Sequence, residues 1–140
     1  MATVIRPEIS SKNKYYIDKH RYYELKHFCL QYKEWKKGYE LCNESIIFAS
    51  NLENSPSGSG QHSDLTSKYA IRRVEYAKRI HIIEKAAMEA DKDLYLYILK
   101  AVTEGLPFSY LKTKLEIPCG KDMYYDRYRK FFWLLSEYRG

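Results

Sequence analysis

The sequence predicts an all-α protein: a helical N-terminal part, a long central helix and a C-terminal helix-turn-helix. Three observations carry this. Apolar residues recur at spacings of three and four along most of the chain. No alternating strand pattern of comparable strength accompanies them. One stretch rich in Ser, Gly, Pro and Asn divides the periodic segments. Three regions follow: residues 1–49 as a helical N-terminal region, 50–67 as a flexible linker loop, and 68–140 as a long helix plus a helix-turn-helix module.

Residues 1–12 read as a mobile arm. Lys14 to Asn43 is filled with good helix formers and holds no proline, and Asn13 is placed to cap its start. Tyr22, Leu25, Cys29 and Tyr32 form one apolar stripe at helical spacing. Gly38 is expected to end this helix or to break it from a second one, since glycine weakens a helix interior. Ile46-Ile47-Phe48 forms a short patch expected to be buried. From Asn51 to Gly60 the composition is that of a linker, with little to bury.

Leu65 to Ala90 reads as one long helix with Asp64 or Thr66 as its cap. Tyr69, Tyr76, Ile80, Ile83 and Ala87 fall on one stripe, and Lys68, Arg72, Arg73, Lys78, Arg79 and Lys85 lie mostly off it. Asp91 to Thr103 follows with Leu94, Ile98 and Ala101 on one face. Gly105 should stop it, with Pro107 just beyond. Ser109 to Glu116 makes a short helix capped by Ser109, and the last helix runs from Lys121 to Tyr138.

Composition bounds the function. The 140 residues suffice for one domain or two small lobes, and 45% hydrophobic residues can form a core. The formal charge of +6 favours an anionic partner, nucleic acid first. Fifteen tyrosines point to wet interfaces as well as core, because the ring packs and the hydroxyl stays hydrogen-bonded. Cys29, Cys42 and Cys119 are odd in number and far apart, which suggests neither a disulfide framework nor a zinc knuckle and fits a reducing cytoplasm. Residues 1–10 lack the apolar core of a signal peptide, and no apolar run reaches transmembrane length.

Catalysis has little support. His20, His27, His62 and His81 are scattered without metal-ligand spacing, and no phosphate loop or nucleophile motif occurs. The chain is therefore read as a non-enzyme without cofactor or metal.

The last third is the informative part. Tyr124, Tyr128, Phe131, Leu135 and Tyr138 form the stripe expected to pack inward. Lys121, Tyr125 and Arg129 fall on a second face, with Asp122, Asp126 and Lys130 beside it. On that face Lys and Arg suit phosphates, and Arg129 or Tyr125 suits a base edge. Gly120 is expected to provide a sharp turn that leaves the first helical amides free for a phosphate. Lys121, Asp122, Tyr125, Asp126, Arg129 and Lys130 are thus the candidate DNA-binding residues. A plain three-helix bundle with a basic solvated face fits the same spacing.

The segment Ala101 to Leu111, followed by Leu115-Glu116-Ile117-Pro118-Cys119-Gly120 and then Tyr124 to Lys130, resembles the sigma-factor region-four type of helix-turn-helix. The layout from about residue 65 to 138 is similar to phage and prophage late transcriptional regulators of the RinA/ArpU type. Arg21 to Lys37 also resembles the opening of uncharacterised phage proteins of this size. The resemblance implies a DNA-binding transcriptional regulator acting in the cytoplasm of a host bacterium. Its partners would be double-stranded DNA, host RNA polymerase or another host protein, and a second copy as homodimer, with no membrane. Pro118-Cys119 before the last helix, and Tyr124, Tyr125 and Tyr128 within it, depart from the family pattern. They keep open a protein-binding factor that acts on a host polymerase or defence effector, and a DNA-packaging component.

Overall fold

The computed structural model describes residues 13–53 and 60–140. Six helices and no strand occur among the described residues: α1 Lys19–Leu30, α2 Tyr32–Glu53, α3 Gly60–Ala90, α4 Tyr95–Glu104, α5 Phe108–Thr113 and α6 Lys121–Arg139. The protein is all-α, as its periodicity predicts. The chain divides into two compact units, one of residues 1–31 with 82–140 and one of residues 32–81, and α3 contributes to both.

The second unit pairs α2 with the first part of α3. Its inward side chains follow a heptad-like spacing: Tyr32, Trp35, Cys42 and Ala49 are buried on α2, and Ile80 on α3. Partner numbers descend along α3 as they rise along α2. The Arg79 guanidinium lies 5.5 Å from the Trp35 ring, Tyr76 lies over Gly38, and Arg73 donates to Asn43 Oδ1 at 3.0 Å. The two segments are therefore antiparallel.

Three expectations are corrected here. Gly38 neither ends nor breaks a helix but lies inside α2. The Tyr76 ring occupies the space a side chain would need there, so tertiary packing selects glycine against its helix propensity. The helix break falls at Gln31, whose backbone N–H bonds to the Phe28 carbonyl at 3.3 Å. The linker expected at 50–67 is helical at 50–53 and at 60–67, while 54–59 and the arm at 1–12 lie outside the described residues. Helix continues through the polar residues because each residue added to a formed helix contributes one more backbone bond, and Thr66 extends the inward spacing of Arg73 and Ile80 by seven. The Ile46-Ile47-Phe48 patch is not buried as a block. A helix turns only one side inward, which leaves Ile47 and Phe48 exposed.

In the other unit, Tyr22, Leu25, Phe28 and Cys29 form the buried stripe of α1. Asp18, not Asn13, caps this helix and accepts from the His20 N–H at 3.1 Å. Asn13 instead closes the preceding turn through the Tyr15 N–H, at 2.8 Å. α1 packs against α4 and α6, and α4 against α5. Leu94, Ile98 and Ala101 are buried as expected.

Asp91 precedes α4 rather than starting it, because its carboxylate accepts from the amides of Asp93 and Leu94 and bends the chain there. Gly105 ends α4 in the left-handed region, φ 69° and ψ 37°, and the Leu106 N–H returns to the Ala101 carbonyl at 3.0 Å. α5 is shorter than expected, and Pro107 rather than Ser109 stands at its cap. Proline fixes its own φ near the value found here, −77°, and lacks an N–H that would need a partner.

Candidate functional site

The site proposed from sequence lies on α6, so the position of α6 decides its chemistry. Tyr124, Phe131, Phe132 and Leu135 are buried within this helix. The predicted stripe named three of these. Phe132 is absent from that stripe because it falls seven residues after Tyr125, on the face assigned to DNA, and only a second packing neighbour buries it. That neighbour is α1: Tyr22 meets Phe132 edge-on with ring centroids 5.1 Å apart, and its hydroxyl lies 2.7 Å from that of Tyr128. Arg21 fixes the other end of the same contact, donating to Ser136 Oγ at 3.0 Å and to the Ser136 carbonyl at 3.1 Å.

The approach to α6 is not the sharp glycine turn expected. Residues 114–120 separate α5 from α6, more than the turn of about three or four residues in a helix-turn-helix. Gly120 is extended, at φ −81° and ψ 171°, and a Cβ there would meet nothing within 4 Å. The left-handed residue is Glu116, at φ 54°. It sits where the Ile117 N–H returns to the Leu111 carbonyl at 3.0 Å, with both side chains buried. Burial of Leu111 and Ile117 therefore shapes the connection, and Gly120 is not required for it on conformational grounds.

The candidate residues divide into two groups. Lys121 and Asp122 are exposed, whereas Tyr125, Asp126, Arg129 and Lys130 are half-buried. Tyr125 packs beside Phe108, with centroids 6.1 Å apart, and Lys121 lies 5.7 Å above the Tyr125 ring. Asp126 pairs with Arg127. Arg127 also donates from Nε to Asp91 at 3.0 Å. Burial pushes the Asp91 carboxyl up, but the hydrogen bonds from Arg127 and from the Leu94 and Asp93 amides outweigh it and hold it below its ordinary value. Arg139 pairs with Glu24 at 2.6 Å and covers the Phe28 ring.

Lys121, Arg129 and Lys130 have no carboxylate partner among the described residues. Their charges are free for an outside anion, while Arg127 and Arg139 are committed to the fold. Sequence spacing separated the faces of α6 but gave no sign that Arg127 is engaged, because its partner Asp91 is 36 residues away.

No group of three His, Cys, Asp or Glu side chains stands ready to hold a metal ion among the described residues, and none of their helices is long and apolar enough to cross a membrane. Compared with known protein families, curated proteins and solved structures, the chain matches none.

Proposed function

We propose that this chain is a phage-encoded, non-enzymatic transcriptional regulator that binds double-stranded DNA through the first half of α6. The observation that carries this reading is the division of cations on α6. Of the three without ion pairs, Lys121 and Arg129 are on the face that the helical spacing assigns to DNA, and Lys130 follows Arg129 beside it. A cation already neutralised by a carboxylate releases no counterion from DNA, whereas an unpaired one does. Lys121 and Lys130 serve as phosphate contacts, and the fork of Arg129 suits guanine O6 and N7. Asp122 cannot favour a phosphate and instead suits the amino group of cytosine. Such a regulator works in the cytoplasm of the host bacterium.

A second reading has its own observation. The paired segments of α2 and α3 expose Leu41, Ile47, Phe48, Ile71 and Val74. Exposed apolar groups of this size suit a protein partner, either host RNA polymerase or a second copy of the chain. One experiment tests both. Fluorescence anisotropy is measured with duplexes flanking the gene and with scrambled duplexes over a salt series, together with light scattering for mass. Saturable binding that weakens steeply with salt supports the regulator. Absence of duplex binding at low salt leaves the protein-docking reading in its place.

A further inference from the structure

A cavity of 180 Å³ opens in the unit formed by residues 1–31 and 82–140, between α1, the α4–α5 junction and α6. Its aromatic walls include Phe108, Tyr124, Tyr125, Tyr128 and Phe132, and Lys26 is the single charged residue lining it. We propose that this cavity binds a single-ring aromatic carboxylate, its carboxylate toward Lys26.

Size sets the ring count. An engineered apolar cavity of about 150 Å³ holds benzene, so 180 Å³ takes one substituted ring and not two. The walls set the ring's nature. Phe108 and Tyr124 lie with centroids 5.4 Å apart, and Tyr128 and Phe132 at 4.9 Å, an arrangement of faces and edges that a further flat ring extends.

The charged group sets its substituent. Lys26 is half-exposed and has no ion pair among the described residues, so it offers its charge to a carboxylate. The tyrosine hydroxyls beside it are engaged or closed off: those of Tyr22 and Tyr128 bond to each other at 2.7 Å, and that of Tyr124 is fully buried. Lys26 is not on the DNA face, although the wall shares Tyr125 with that face, and titration in the absence of DNA tests this inference apart from the regulator reading.

The test uses the full chain and three probes followed by amide NMR titration. Benzoate carries the ring and the carboxylate, p-cresol lacks the carboxylate, and acetate lacks the ring. We expect saturable shifts with benzoate centred on the amides of Gly105, Tyr125 and Tyr128, and none with acetate. Lys26→Met should weaken benzoate about tenfold, the usual scale for a charged hydrogen bond, and leave p-cresol unchanged. The inference is overturned if no ring compound saturates by ~10 mM, a concentration that reaches even weak sites. It is equally overturned if Lys26→Met binds benzoate as tightly as the parent chain.

Discussion

The phenol end of Tyr76 lies over Gly38, so close that a Cβ built on the glycine would stand 2.6 Å from Tyr76 Cζ and 2.7 Å from Cε2. In an open helix interior, replacing glycine by alanine gains about 0.5–1 kcal/mol. Here the methyl must displace the ring, and overpacking of this kind costs about 1–3 kcal/mol. Gly38→Ala should therefore lower stability by roughly 1 kcal/mol net, read from urea unfolding. Tyr76→Leu in the same chain should recover most of the loss. A stabilised single variant would mean that the ring does not occupy this position.

Leu135 has no exposure and lies with Tyr124 and Phe131 on the buried stripe of α6. Leu135→Ala should cost about 2–5 kcal/mol, since it loses both transfer free energy and the contacts of the cavity it leaves. Thermal or chemical unfolding reads this directly. A loss below about 1 kcal/mol would place the side chain outside the core.

The Asp91–Arg127 pair predicts a dependence on pH. The folded carboxyl lies below its ordinary value of 3.8, so its contribution is fully present above that value. It is lost as pH falls through the lower folded value, because the unfolded chain takes up the proton first. Asp91→Asn should destabilise by about 1–2 kcal/mol at pH 7, discounted for the partial exposure of Arg127. Parent and variant should converge as pH drops below about 4. A gap of constant size from pH 7 to pH 3 would show that the charge of Asp91 contributes nothing.

The DNA reading makes separate forecasts for two residues of α6. Arg129→Ala should weaken binding to the specific duplex by about 1–3 kcal/mol and relax discrimination at one base position. Lys121→Ala should weaken specific and scrambled duplexes alike and lower the salt slope by about one. Both variants should unfold nearly like the parent, because Lys121 is exposed, Arg129 is only half-buried and neither is ion-paired. Identical effects of the two substitutions on all sequences would reduce α6 to a phosphate-binding surface without base recognition.

Local periodicity was enough to determine the all-α class, the inward stripe of Tyr124, Phe131 and Leu135, and the stop of α4 at Gly105. Each depends on residues within about three turns of one another, and a helix places such residues on one face whatever surrounds it. The helical spacing also determined which face of α6 carries Lys121, Tyr125 and Arg129. The tertiary structure decided the rest. It kept Gly38 inside a helix because a ring from α3 needs the space, and it carried helix across most of the expected linker. It committed Arg127 to Asp91 while leaving Arg129 unpaired. It also brought Lys26 of α1 to the same cavity as Tyr124 of α6. These outcomes depend on side chains that meet across long stretches of sequence, and the geometry of such meetings is fixed only when the helices pack.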